Sequence, residues 1–384
     1  MRRKILIIAM MDSIHVGRWL EQFRDQEIDF VIFPSKKFRH IHPRIKQLID
    51  SDSRMNVAIY QGKIPHQIYG YADFFFRVLP YKFFKLNRRT VELRKFLQSH
   101  DFEFIHCLEI QGAGYLLFDA IVEKSRVKSK IIVTNWGSDV YYFKNLPEHL
   151  GKIKSVLGVA DFYSAECIRD YALAKELGFI GISLPCIPNA GGFNLHNLPS
   201  SQKTSSRKNI VIKTYGGTFG RGELPIMAVG RILSEFQTFS AFFYSVTDDL
   251  LELVKTLVQE FPERVQFSRQ SAPIPSNELA NIFQSSRVYI GCSVSDGIST
   301  SFLESLVSGA YPIQTNSSCA SEWVASGALA SVIPLDLEVL SEELRRALSD
   351  DELVDRAQEL NRELSIELLE FEVIKSKALT FYKG

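Results

Sequence analysis

No stretch of the 384 residues approaches the run of about 18 apolar residues that a helix needs to cross a bilayer. The chain opens with Arg2-Arg-Lys4 ahead of the apolar run Ile5–Met11, the order of a secretion signal, but that run is too short and Asp12 follows it. It reads as a first buried strand. Cysteine is scarce: Cys107, Cys167, Cys186, Cys292 and Cys319 are odd in number and scattered, with no Cys-x-x-Cys pair, which excludes a zinc knuckle and a disulfide scaffold and points to a reducing cytoplasm. There is no Gly-x-Gly-x-x-Gly and no Walker loop, which argues against NAD and ATP. A weak Asp-x-Asp at Asp50-Ser51-Asp52 closes a helix-like segment and reads as a turn, so no metal and no cofactor are expected.

Charge excess is also missing, since the net charge is only +1. That balance hides an asymmetry. Residues 1–195 carry 28 Lys and Arg against 20 Asp and Glu, and the remainder 17 against 24. A chain divided in this way meets an anionic surface with its basic half. Two segments carry the excess. Residues 36–46 hold five Lys or Arg and no acid, and residues 71–96 interleave seven with eight aromatics. This pattern suits an anionic membrane interface, and no binding motif for nucleic acid accompanies it. A core helix with a solvated basic face is the competing reading.

What the chain does have is alternation. Apolar strand-like runs at Lys4–Met10, Phe30–Phe33, Phe102–Leu108, Lys130–Thr134, Ala160–Ser164 and Ile182–Cys186 are each followed by a polar loop and, in most cases, a helical stretch. The polar run 196–208, with four Ser, breaks the alternation as a linker would, and the pattern then resumes from Asn209. The reading is α/β, with two doubly wound domains at 1–195 and 209–359. A helical tail without Gly or Pro occupies 350–383.

The most informative stretch is Val288–Gln314, read as strand, polar loop, helix, glycine stop and strand. Ser299, Thr300 and Ser301 offer N-cap oxygens, and Gly309 ends the helix. A loop ending at a helix N-terminus favours an anion, and Asp296 and Glu304 flank it with acceptors for sugar hydroxyls. Ser301-x-x-Glu304 is equally a capping box. In Gly216-Gly-Thr-Phe-Gly-Arg-Gly222 a glycine-rich turn lets the backbone approach a diphosphate, and Arg221 can fork onto it.

Asp296-x7-Glu304 followed by Ser-Leu-Val-Ser-Gly-Ala-Tyr-Pro resembles the Glu-x7-Glu signature of retaining glycosyltransferases of family 4. The resemblance implies the GT-B fold, two facing Rossmann-like domains with an interdomain cleft, and a tail from about 360 that packs back on the first domain. It implies donor contacts from Gly217, Arg221, Lys213, Gly297, Ile298, Ser299 and Thr300, with Glu304, Asp296 and His106 at the reacting sugar. His15, Gly17, Asp139 and Glu109 fall where such enzymes meet the acceptor. The expected partners are a nucleotide-sugar and a glycan or polyprenyl-linked acceptor in envelope polysaccharide synthesis, at the cytoplasmic face of a membrane. The chain departs from the family pattern at Leu108, Ile226 and Asp296. Those departures keep two alternatives open, a non-catalytic GT-B-like subunit and a sugar-nucleotide epimerase.

Overall fold

The computed structural model describes residues 2–51, 54–60, 88–121, 127–195 and 202–383. They form two compact units, one comprising 1–191 with 374–384 and the other 192–373. Most of the aromatic segment predicted at 71–96, up to residue 87, and part of the predicted linker, 196–201, lie outside the described residues.

The first unit is a parallel sheet of strands β1 (Arg3–Ala9), β2 (Ile28–Pro34), β3 (Asn56–Ile59), β4 (Phe104–Leu108), β5 (Lys130–Thr134), β6 (Phe162–Ser164) and β7 (Ile182–Ser183), in the order β3-β2-β1-β4-β5-β6-β7. Every described pairing in it is parallel. From Ile5 to Ala9 no side chain of β1 is exposed, because helices cover both faces of a parallel sheet. Burying each large aliphatic side chain of this kind contributes about 1.5–3 kcal/mol. Its two faces form separate cores, one around Leu6, Ile8, Ile105 and Val133 and the other around Ile5, Ile7, Phe30 and Ile132.

The second unit repeats the plan with β8 (Asn209–Lys213), β9 (Ser240–Val246), β10 (Val265–Arg269), β11 (Ser286–Gly291), β12 (Tyr311–Thr315) and β13 (Ser331–Ile333), ordered β10-β9-β8-β11-β12-β13. In both sheets the strand order reverses beside the first strand of the unit, where open α/β sheets place their ligands beyond the carboxyl ends of the strands.

Three sequence expectations change. Residues 202–208 are stapled into the second unit and do not hang as a tether. Thr204 Oγ1 donates to Gly309 O at 2.6 Å, and the buried Arg207 guanidinium donates to Ser286 O and Ser308 O. The tail is not one helix. It runs Asp351–Leu369 and Phe371–Ala378, and breaks at Glu370 because Phe193 inserts there: Phe193 N donates to Leu369 O, and Phe371 N donates to Phe193 O. Only 374–384, rather than everything from about 360, belongs with the first unit. Finally, the polar loop expected after the first strand gives way to a helix already at Ile14, with Ser13 as its cap, so His15 lies in its first turn.

Candidate functional site

In the second unit two loops at the carboxyl ends of adjacent strands are tied together. Gly220 bridges Ser293, Val294 N donates to Phe219 O at 2.8 Å, and Arg221 N donates to Cys292 O at 3.2 Å. The glycine-rich turn 216–222 after β8 therefore borders the 292–299 loop after β11. Within it Gly217 takes φ +72° with no atom near where a Cβ would lie, a left-handed residue with an open flank. Arg221 is folded over the turn and donates to Gly217 O and Gly220 O. Lys213, at the end of β8, places its ammonium 5.0 Å from the centre of the Tyr215 ring.

The helix that follows the second loop spans Thr300–Ser308 and stops at Gly309, whose φ of +78° is the left-handed cap that glycine supplies without strain. Ser299 is the N-cap, but its side chain makes no cap hydrogen bond and its Oγ lies 3.5 Å from the Tyr289 hydroxyl. Ser301 is thus already inside the helix and buried, and the third helical position is Phe302. The capping-box reading of Ser301 and Glu304 falls, since that box needs the acid three residues after the cap. Glu304, at the fifth helical position, is half-buried, as are Asp296 and Thr300, while Gly297, Ile298 and Ser299 are buried.

Sequence reading missed the tyrosines around these carboxylates. Tyr215, Tyr244 and Tyr289 are raised above the ordinary phenol value by burial. The charge of Asp296 acts on Tyr215 and Tyr289 in the same direction, and that of Glu304 on Tyr244. Their common signal is a place at or near the carboxyl end of a strand, where alternation alone cannot separate a core ring from a site wall. Ile226, where the family pattern has Lys, is buried in the core of the second unit.

The first unit treats its predicted site residues differently. His106 is fully buried, and both ring nitrogens are used: Nδ1 lies 2.8 Å from the Tyr382 hydroxyl and Nε2 2.6 Å from Thr134 Oγ1. Trp19 Nε1 can only donate, and it donates to Tyr382 at 3.0 Å. Tyr382 then passes its own hydrogen to Nδ1, and Nε2 carries the proton toward Thr134. Burial pushes the imidazole down to about 3, so it stays neutral. His106 thus anchors the C-terminal segment inside the core.

Glu109 and Asp139 are likewise turned inward. Glu109 sits at φ +87° and accepts from Gly112 N and Ala113 N at 2.7 and 2.6 Å, capping the turn that follows β4. One oxygen of Asp139 accepts from both Ile110 N and Trp136 N, at 2.9 and 3.1 Å, and joins the loops after β4 and β5. Burial, then the charge of Glu109, pushes Asp139 up to about 7, and burial also raises Glu109. Gly17 is needed for packing, because a Cβ there would lie 2.7 Å from Arg44 Cβ. Glu109, Asp139 and Gly17 thus each support the local structure of the first unit. His15 stays half-buried, its Nδ1 3.1 Å from Asn189 O and its ring edge-on to Trp136. Leu108 is core.

Among the described residues no helix is long and apolar enough to cross a membrane. Lys36, Lys37, Arg39, His40 and Lys46 are exposed in the basic segment after β2.

Comparison with known proteins fits this geometry. Residues 4–168 match the family described as "Glycosyl transferase 4-like". No curated protein matches the chain by sequence. Sucrose-phosphate synthase from Thermosynechococcus elongatus superposes with a TM-score of 0.71 at 15% identity, covering 100% of this chain and 98% of that one. HepE of Anabaena, in complex with UDP and glucose, gives 0.67 at 11% over 99% of each chain. A mutant of S. aureus TarM in complex with Fondaparinux, alpha-GlcNAc-glycerol and UDP gives 0.69 at 12% over 100% of each. Residues 4–168 are thus similar to the glycosyl transferase 4-like family, and the chain has the two-sheet GT-B fold that it shares with these structures.

Proposed function

We propose that this protein is a retaining, metal-independent glycosyltransferase that moves a hexosyl group from a nucleotide-diphosphate sugar to a glycan or lipid-linked acceptor in envelope polysaccharide synthesis. The observation that carries the donor half is the tied loop pair, 216–222 and 292–299. It ends at a helix N-terminus that the Ser299 side chain leaves uncapped, with Asp296 before it and Glu304 after it. Backbone N–H groups of the helix start and the open flank of Gly217 suit a diphosphate, and Arg221 supplies a fixed charge beside it. The two carboxylates suit sugar hydroxyls. UDP in the complexes of HepE and TarM supports the same ligand class here.

In the reaction the bond from the anomeric carbon to the diphosphate breaks while the acceptor hydroxyl bonds to that carbon on the same face, and the hydroxyl proton goes to the departing phosphate. Orientation and stabilisation of leaving-group charge carry the rate, which suits a chain whose His106 is sealed in a core. The exposed cations of 36–46 support contact with anionic lipid, where a lipid-linked acceptor resides.

Calorimetric titration with UDP, GDP, dTDP and CMP tests the donor site. One of them binds, and its sugar conjugate is slowly hydrolysed; absence of all binding overturns the reading. Flotation with vesicles containing anionic lipid tests the surface: binding falls when Lys36, Lys37 and Arg39 become Ser, and unchanged flotation removes the membrane contact.

A further inference from the structure

We infer that Thr315, which no motif singles out, is a positioning residue that holds the Asp296 loop in place; the inference rests on the donor site proposed above. Strands β11 and β12 pair in parallel up to Gly291 and Gln314, and there the two main chains part. Beyond that point Thr315 uses its own backbone to pair with Ile333 in β13, and its side chain turns back toward the β11 loop. Its hydroxyl accepts from Ser293 N at 3.0 Å and donates to Ser293 O at 3.0 Å. A single side chain thus engages both the N–H and the C=O of Ser293, which a hydroxyl can do because it carries one donor and two acceptor sites.

The rest of the turn adds to the hold. Ser317 Oγ also donates to Ser293 O, filling the second lone pair of that carbonyl, and Cys319 N donates to Gly297 O at 2.7 Å. On the other flank Gly220 bridges Ser293 and Phe219 O accepts from Val294 N. Asp296 therefore rides on a six-residue stretch, 292–297, pinned at residues 292, 293 and 294 and again at 297. Thr315 and Ser293 are both buried, so neither lost bond is replaced by water. Thr315 acts through the main chain of Ser293.

Thr315→Val keeps the side-chain shape and removes both bonds, whereas Thr315→Ser keeps the hydroxyl. Residue-resolved hydrogen exchange reads the clamp without any ligand. The Ser293 amide is protected in the wild type, exchanges at least about 10-fold faster in Thr315→Val, and returns to within about 2-fold of the wild type in Thr315→Ser. Affinity for the nucleotide that binds the wild type, from UDP, GDP, dTDP and CMP, falls about 10-fold in the Val variant and recovers in the Ser variant. A Ser293 amide that exchanges freely in the wild type, or equal protection in wild type and Val variant, overturns the clamp. If Thr315→Val fails to fold, Ser317→Ala, which removes one of the two donors to Ser293 O, shows the smaller increase in exchange, and no increase counts against the proposal. Protection that follows this order in a protein that binds none of the nucleotides sinks the donor reading and leaves the clamp standing.

Discussion

Both sheets end in loops carrying acids and glycines, but the two units direct these groups to different ends. At the carboxyl ends of β4 and β5, Glu109, Asp139 and His106 are buried and satisfied by their own protein: by the amides of Gly112 and Ala113, by those of Ile110 and Trp136, and by Tyr382 and Thr134. Beyond β8 and β11 the backbone does the tying, through Gly220 with Ser293 and Phe219 with Val294, and Asp296 and Glu304 stay half-buried. Residue type is thus a poor guide to role at a strand end. A carboxylate that caps amides holds its own loop together, while Asp296 rides on a loop that the main chain already holds.

The comparison is broken most sharply at Glu304. Replacing it with Ala lowers glycosyl transfer or donor hydrolysis by about 100-fold or more, the range for removing one well-placed polar group from a reacting centre, with little change in melting temperature. An equally active variant would place Glu304 with the structural acids of the first unit.

Next comes Tyr382→Phe, which strips the hydroxyl shared by Trp19 and His106 and leaves two buried polar atoms without partners. It destabilises by about 2–4 kcal/mol, seen as a fall of roughly 5–10 °C in melting temperature. Nucleotide affinity, measured below the transition, stays at the wild-type value. A loss of affinity with unchanged stability would return His106 to the chemistry.

The smallest effect concerns Asp139, whose folded value of about 7 lies above its unfolded one. The folded state therefore holds the proton more tightly, and stability from this group is full at acid pH and is lost as pH rises from about 4 through about 7. The slope is at most about 1.4 kcal/mol per pH unit. Asp139→Asn can keep an acceptor for Ile110 N and Trp136 N, so its unfolding free energy flattens between about pH 4 and about pH 7. An unaltered pH profile would show that Asp139 is not the group that titrates.

The helix 300–308 with its stop at Gly309, the glycine turn at 216–222 and the run of parallel strands were legible because each depends on neighbours in sequence: apolar periodicity, an open left-handed position, short punctuating loops. The role of His106 was not, because its decisive partner Tyr382 is 276 residues away and no local pattern announces it. The break at Glu370 and the capture of 202–208 escaped the same way. A tail free of Gly and Pro reads as one helix until Phe193 takes its carbonyl and amide, and a serine-rich run reads as a tether until Asp355 and Gly309 accept its hydrogens.

By itself the amino-acid order determined two α/β halves, the strand-loop-helix that presents Asp296 and Glu304, and the likeness on which the proposed reaction rests. Only the tertiary structure decided which acids are sealed and which stay at a surface, and that the Thr315 side chain engages the main chain of Ser293. The physical reason is one of range. Periodicity and turn chemistry act over a few residues, whereas the desolvation and pairing of a polar group depend on whatever the fold brings against it.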